Sequence, residues 1–595
     1  MFFATHQLVV ALLLLSLRVR AGIVERVKDL PKLSYDFVII GGGTAGNVVA
    51  SRLTEDPSVS VLVLEAGGLN TGIENVSIPL QCPILTPNTP FDWNFTTTPQ
   101  VGFNGRSVIY PRGHILGGSS SVNFMGYTRG PSTDYDRYAA ITKDPGWSWE
   151  RLLPYIFKNE RWVPPADHHN TSGQFDPSFH STTGVNFVSL PGFSHPIDQK
   201  IIQTTKDLPE FPHLVDINAG SPVGIGFTQS TIGNGARSSS ATSYLSPQVV
   251  KRENLFVLLN AQVSRVLSQG DVSGKISFGI VEFTDGVGGP TKQVSAKKEI
   301  VLSAGSLATP HILLNSGIGN KTELEEIGIK TVVDNPSVGK NFSDHTATGL
   351  QWLVNSNLTL EHLHRDPAFF DAELEQWEKS KTGIFTISTF NNIGWLRLPA
   401  NSTIFQSSPD PSSGLKSGHF ELLFTNGISR PPFPATGNFL SISVGLVSPS
   451  SRGSISINST NPFAPPLINP QYLTTDFDIF TVREGIRAAR RFVAGPAWKD
   501  YIISPVQNGT TDDELDVLIR GSAGSIWHGC GSAGMTAKDA GYGVVDPDLR
   551  VKGVEGLRIV DASVLPIVPA GHPQAAVYAI AERASDLIKQ AWNQK

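Results

Sequence analysis

The stretch Asp36-Phe37-Val38-Ile39-Ile40-Gly41-Gly42-Gly43-Thr44-Ala45-Gly46 decides the fold. A run of β-branched and aromatic residues meets a glycine turn, and Asn47-Val48-Val49-Ala50-Ser51-Arg52-Leu53 follows as a predicted helix. Gly41, Gly43 and Gly46 stand in G-x-G-x-x-G spacing. Gly41 permits the tight turn, Gly43 lets a pyrophosphate approach the backbone, and Gly46 lets the helix pack closely on the strand. The helix N-terminus then offers free N–H groups and a positive dipole end to phosphates. A second strand, Ser60-Val61-Leu62-Val63-Leu64, ends in Glu65, followed by Ala66 and Gly67. An acid about 20 residues after the turn is placed to hydrogen-bond a ribose hydroxyl. The pattern does not separate FAD from NAD, and the acid argues only against an NADP 2′-phosphate.

Outward from this unit, the chain is long enough, at 595 residues, for several domains and a large core. Net charge is −5 and no Lys/Arg block occurs, so nucleic acid is not an expected partner. Leu8 to Leu17 is a short apolar run broken by Ser16, with Val19-Arg20-Ala21 behind it. That is a predicted secretory signal over residues 1–21, too short to span a bilayer, and no second long apolar run follows. The sequons at Asn75, Asn94, Asn170, Asn320, Asn341, Asn357, Asn401, Asn458 and Asn508 predict an N-glycosylated, secreted protein. With only Cys82 and Cys530, the fold is expected to be held by its core and not by disulfides. No metal-ligand cluster stands out, and a monomer is the default expectation.

Further along, Phe91-Asp92-Trp93-Asn94-Phe95 is an aromatic cluster of core or pocket rim. Gly117-Gly118-Ser119-Ser120-Ser121-Val122-Asn123-Phe124 reads as a loop whose backbone N–H groups face an anionic or carbonyl-bearing ligand. Residues 131–240 look less regular; Trp147, Trp149 and Pro164-Pro165 there point to a substrate domain or lid. His168, His169 and His180 read as surface histidines. Strands return at Leu255–Leu259 and Glu299–Ser303. Alternation at Phe439–Val444 and Gly453–Ile457 predicts sheet, and Asp476 to Phe492 a helix. Near the C-terminus, His528 sits in a glycine-rich loop, Leu557–Val560 reads as a strand ending in Asp561, and His572 precedes a closing helix.

Taken together, five of these stretches resemble the glucose-methanol-choline (GMC) oxidoreductases. They are the fingerprint through Gly67; Gly113 to Asn123, which departs at His114 where the family usually has Arg or Lys; Gly305 to Gly319, which fits the second signature throughout; Val338-Gly339-Lys340-Asn341 with Asp344-His345; and His528, Asp546-Pro547, Asp561 and His572. The matches span almost the whole mature chain. Within the family the likeness is to secreted fungal aryl-alcohol oxidases, with pyranose dehydrogenases as the runner-up.

The resemblance implies an α/β fold: a Rossmann-like FAD-binding domain (34–345 with 540–595, of which 111–239 contributes loops and lid) and a substrate-binding domain on an antiparallel sheet (346–539). It implies FAD contacts at Gly41, Gly43, Thr44, Ala45, Gly46, Glu65, Ala66, Gly118, Asn123 and Val263, with Asp561 and Ala562 near the flavin. Pyranose dehydrogenases attach FAD through a histidine just after the Gly-Gly motif. Here Ser119 to Asn123 contain none, so non-covalent FAD is expected. The implied chemistry is alcohol oxidation, with hydride passing to flavin N5 and the hydroxyl proton to His528, beside His572. Phe124 and Trp527 fall where aromatics line the access to the flavin, though both serve equally well as core. Gly529 and Ser532 depart from aryl-alcohol oxidases, which carry Pro and Thr there. The leading expectation is oxidation of a primary aromatic or allylic alcohol with oxygen as acceptor. The alternative is a dehydrogenase that uses quinones and acts on a secondary-metabolite alcohol.

Overall fold

The computed structural model describes residues 22–286 and 288–593; the signal segment expected over 1–21 lies outside them. The fingerprint forms as its residue types dictate. Strand Ser34–Ile40 runs parallel to Val61–Leu64, with Ile40 opposite Leu64, and Leu255–Leu258 pairs with the far side of Val61–Leu64. Gly22–Val24 adds an outer parallel strand. On the other side Ser34–Ile40 meets the long strand Thr291–Leu302, which pairs in parallel with Leu557–Ile559 and antiparallel with Lys275–Asp285. Ala261–Val272 closes that antiparallel edge. The central strands are apolar on both faces and buried over Phe37–Ile40, Val61–Leu64 and Leu255–Leu258, the pattern of a parallel sheet covered on two sides.

The turn after Ile40 sits at the C-terminal edge of this sheet, where ligands enter doubly wound folds. A Cβ on Gly41 would stand 2.5 Å from the Ser303 carbonyl oxygen, and one on Gly46 would stand 2.0 Å from the Gly41 carbonyl oxygen. The closing helix Gln574–Ala591 packs against both Gly46–Leu53 and Trp149–Asn159. Arg52 ties it down by pairing with buried Glu582 at 2.7 Å. His572, one residue before Pro573, therefore hangs from an element locked to the fingerprint.

The second sheet is antiparallel. Asn392–Leu396, Phe420–Thr425, Phe439–Leu446, Thr346–Val354 and Ile502–Pro505 lie side by side in that order, and Gly524–Ser525 extends Thr346–Val354. Leu440, Ile442 and Val444 face inward, as their alternation predicts, and the helix Asp476–Val493 covers that face. Ser454–Ser456 joins only a separate two-stranded piece with Leu467–Asn469.

Several expectations for 131–240 are corrected. The region carries the helices Ser132–Thr142, Trp149–Asn159 and Pro196–Asp207. Trp147 is not a lid residue but fully buried core, with the Arg583 guanidinium 3.9 Å from its ring centre. His180 is not at the surface. Its side chain is 1% exposed, between Glu160 at 2.7 Å and Asp216 at 2.7 Å, and Glu160 also pairs with buried Arg129. Burial pulls the His180 imidazole down, but the two carboxylates outweigh it and hold it above its ordinary value. Cys82 and Cys530 are both free and buried, in separate clusters. All of the sequon asparagines except Asn320 are exposed. Among the described residues no helix is long and apolar enough to cross a membrane.

Because the Gly46 position has no room for a methyl group, Gly46→Ala should purify with far less bound flavin than the wild type. The ratio of visible to ultraviolet absorbance checks this, and a full flavin complement in the variant would contradict it.

Candidate active site

The bed for a dinucleotide is built by two glycine loops that meet back to back. A Cβ on Gly118 would lie 2.9 Å from the Gly43 Cα. A Cβ on Gly43 would meet nothing nearer than 3.9 Å, so open space stands above that residue. The N–H groups of Gly43, Thr44 and Ala45 find no protein acceptor among the described residues. Serines lace the loops together. The Ser240 hydroxyl donates to the Gly43 carbonyl at 3.0 Å, and Asn47 Nδ2 donates to the Gly42 carbonyl at 2.9 Å. The Ser120 and Ser121 hydroxyls donate to the Gly117 and Leu116 carbonyls at 2.6 and 2.8 Å.

Glu65 is buried at the end of its strand. Its carboxylate accepts from the amides of Gly42 at 2.8 Å and Gly67 at 2.7 Å. Burial pushes its pKa up to about 7 although those amides favour the charged form. Free N–H groups, a cleared approach at Gly43 and an acid at the ribose position fit a dinucleotide such as FAD.

The other residues expected at the cofactor are placed more variously. Asn123 is engaged by protein: its amide donates to Gln574, and its Oδ1 accepts from Arg237 at 2.9 Å and from the Met125 amide at 3.1 Å. It pins the signature loop. Asp561 accepts from the Gly305 amide at 2.9 Å, the Thr309 hydroxyl at 2.6 Å and the Ser563 amide at 2.8 Å. Its carboxylate ties the helix Gly305–Asn315 to the turn at Ala562. Val263 sits at a bulge on strand Ala261–Val272. Ala66 lies between Glu65 and Gly67, whose amide Glu65 holds.

His528 and His572, far apart in sequence, come together with ring centroids 4.5 Å apart. A third histidine joins them: His345 Nδ1 lies 3.0 Å from His528 Nδ1, with the rings nearly perpendicular. On the other side, His572 Nε2 stands 3.3 Å from an oxygen of Glu421, a fully buried acid on strand Phe420–Thr425. Gly126 makes room for His572, since a Cβ there would lie 2.9 Å from the imidazole Nδ1.

Asp344 carries the His528 loop. Its Oδ1 accepts from the amides of His528 at 2.7 Å and His345 at 2.8 Å. Its Oδ2 accepts from the hydroxyls of Tyr110 at 2.8 Å, Ser525 at 2.6 Å and Tyr472. Burial raises the Asp344 pKa in spite of these donors. Trp527, next to His528, is left-handed at φ 64°, as is Met125 next to Phe124 at φ 60°. Such residues cost on the order of 1–3 kcal/mol each and persist only where neighbours fix them. Here the Trp527 amide donates to the Ser525 hydroxyl at 2.7 Å, and Arg112 donates to the Trp527 carbonyl at 2.8 Å.

His528 is pushed well below the ordinary imidazole value, first by burial and then by His572, His345 and Arg112. His345 is pushed down to about 3, mainly by burial. Phe124 and Trp527 face each other with centroids 6.4 Å apart, and the Arg430 guanidinium lies against both. The sequence reading missed Glu421, Arg430 and the role of Asp344-His345. An acid inside the apolar strand Phe420–Thr425 was the one available signal.

Among known proteins, the profile described as GMC oxidoreductase matches residues 35–347, and its C-terminal counterpart matches 449–581. The chain is 41% identical to "Dehydrogenase eriK" of Hericium erinaceus, over 97% of this chain and 98% of that protein. It is also 41% identical to "Pyranose dehydrogenase 3" of Leucoagaricus meleagris, over 99% and 98%. A FAD-dependent oxidoreductase from Chaetomium thermophilum superposes with TM-score 0.84 at 30% identity, covering 94% of this chain and 100% of that one. A fungal aryl-alcohol oxidase does so with TM-score 0.82 at 26% identity, covering 95% and 100%. With its glycine loops, its paired histidines and both halves of the profile matched, the chain belongs to the GMC oxidoreductase family of FAD-dependent enzymes.

Proposed function

We propose that the protein oxidises a primary aromatic or allylic alcohol to the aldehyde, with His528 as the base. The observation that carries this is the pair of imidazoles at His528 and His572, 4.5 Å apart, with Trp527 next to His528 in the chain and its ring against Phe124. FAD, when bound, supplies the hydride acceptor. The chain's own residues handle the proton and the position of the alcohol.

One proton is shared between His345 Nδ1 and His528 Nδ1. With that proton on His528, its Nε2 presents a lone pair to the alcohol hydroxyl. Because His345 and His528 are both pushed down, they stay neutral at working pH. Glu421 orients His572, and the ring lies beside His528, where it suits hydrogen-bonding of the alcohol oxygen as the hydroxyl proton leaves. Phe124 and Trp527 favour a flat apolar group over a sugar, which needs many hydrogen-bond partners.

The sequence reading put oxygen first as acceptor. The 41% relatives carry dehydrogenase names, and they favour a quinone as the second substrate. An oxygen-reducing oxidase is the second reading, supported by the aryl-alcohol oxidase superposition. FAD is taken as non-covalently held, because Ser119 to Val122 offer no nucleophilic imidazole after the Gly-Gly turn. Acid precipitation should release all of the yellow colour into the supernatant; colour kept in the pellet would show a covalent link.

His528→Ala should slow anaerobic flavin reduction by benzyl alcohol by about 10²- to 10⁴-fold, the usual worth of a general base. Protonated His528 cannot act as base, and its pKa is depressed. The wild-type reduction rate should therefore stay flat from pH 8 down through 6.5, where an ordinary imidazole would titrate. Unchanged reduction in the variant, or a loss centred near 6.5, would count against the assignment. Asp344→Asn puts an amide where three hydroxyls donate. It should slow flavin reduction about 10- to 100-fold while FAD stays bound, in line with the loss of charge-assisted hydrogen bonds. Wild-type rates in that variant would show that the Asp344 cluster does not position His528.

A further inference from the structure

Arg430 has no counter-charge. Its guanidinium carbon lies 4.3 Å from the Trp527 ring centre and 4.7 Å from that of Phe124. Among the described residues it makes no ion pair, and its buried Nη2 has no hydrogen-bond partner. The two acids beside the histidines are committed elsewhere, Glu421 to His572 and Asp344 to its hydroxyls and amides.

The guanidinium is not a loose surface group. The loop that presents it is held at both ends. Glu361, fully buried, accepts from the Ile428 amide at 2.6 Å and the Phe439 amide at 3.4 Å. Arg365 donates to the carbonyls of Pro434 at 2.9 Å and Gly437 at 2.6 Å. His364 stacks on Phe433 with centroids 3.7 Å apart. Phe124 is fixed in turn, because the Ser388 hydroxyl donates to its carbonyl at 2.7 Å.

A half-buried cation with no anion and one enclosed, unpartnered nitrogen is unfavourable, and contact with two aromatic faces offsets only part of that cost. Burial accordingly lowers the Arg430 pKa to about 10. A planar fork of donors held beside two aromatic rings, with Nη2 unpartnered, matches a carboxylate in a bidentate pair.

We infer that Arg430 anchors a carboxylate on the substrate, so that the alcohol this site takes is an aromatic or allylic hydroxymethyl compound bearing an acid group. The inference rests on reading the pocket as an alcohol site. The acid belongs on the part of the molecule remote from the hydroxymethyl group. Placed near the reacting carbon it would crowd the Glu421 carboxyl that holds His572, whereas Arg430 lies against Phe124 and against Trp527, the residue next to His528 in the chain. A sugar would leave the guanidinium without its anion.

The test uses the FAD-loaded enzyme and two pairs of compounds. In the first, 4-methylbenzoate and 4-methylbenzamide are titrated against the oxidised flavin absorbance, which reads binding without turnover. In the second, 4-(hydroxymethyl)benzoate and 4-(hydroxymethyl)benzamide are compared in anaerobic flavin reduction. The wild type should bind the benzoate about 10- to 100-fold more tightly than the amide, the worth of one charge-assisted pair. In Arg430→Gln that ratio should fall towards one, and in Arg430→Lys an intermediate preference should remain. No carboxylate preference in the wild type would overturn the inference, whether or not the variants fold. So would a preference that persists in Arg430→Gln. A carboxylate preference in binding with no flavin reduction by either alcohol would leave Arg430 as the anion anchor and overturn the alcohol-oxidation reading instead.

Discussion

The active site depends on one buried carboxylate. Asp344 gathers the His528 and His345 amides on one oxygen and three hydroxyls, from Tyr110, Tyr472 and Ser525, on the other. These donors come from four separate stretches of chain, so the fold must be complete before the cluster can form. A buried carboxylate left without donors would cost several kcal/mol. With five donors it becomes the fixed point that holds the backbone of His528 and brings His345 alongside. The left-handed Trp527 persists because the same cluster, through Ser525, holds its amide.

Around that point the two halves of the molecule have separate tasks. The parallel sheet supplies a rigid edge on which Gly43 and Gly118 meet and Glu65 is presented. The antiparallel sheet supplies Glu421 from strand Phe420–Thr425, and the loop joining that strand to Phe439–Leu446 supplies Arg430. His572 joins the halves. Its chain continues into the helix that packs on the fingerprint helix, while its ring is held by an acid from the other sheet. Such a site tolerates little misalignment, because His528 is held from the antiparallel sheet while His572 is carried by the FAD-side helix and held by Glu421 from the other sheet.

The sequence made some of this legible and left some of it hidden, for physical reasons. The glycine turn was readable because each glycine answers a local steric demand. Gly41 and Gly46 have no room for a methyl group, and Gly43 keeps an approach clear. The strand at Phe439–Leu446 was readable because burial on one face imposes alternation. His528 and His572 were found only through resemblance, since nothing local distinguishes them from loop histidines. Asp344-His345 was part of that resemblance, but its role appeared only when Tyr110, Tyr472 and Ser525 converged on it. His180 misled, because its partners Glu160 and Asp216 lie on other segments. Arg430 left no trace in Ser429-Arg430-Pro431-Pro432, which reads as an ordinary proline-rich loop. Asn123 and Asp561 were singled out as cofactor contacts, and their side chains are engaged by protein groups that hold the bed together from within.

The most direct measurement is to mix the FAD-loaded wild-type protein with 4-methoxybenzyl alcohol under argon and follow the flavin absorbance, then add a quinone. Bleaching on mixing and recolouring with the quinone is the expected result. A flavin that stays oxidised with this alcohol, and with its carboxylate-bearing analogue 4-(hydroxymethyl)benzoate, would contradict the assignment of His528 as the base of an alcohol-oxidising site.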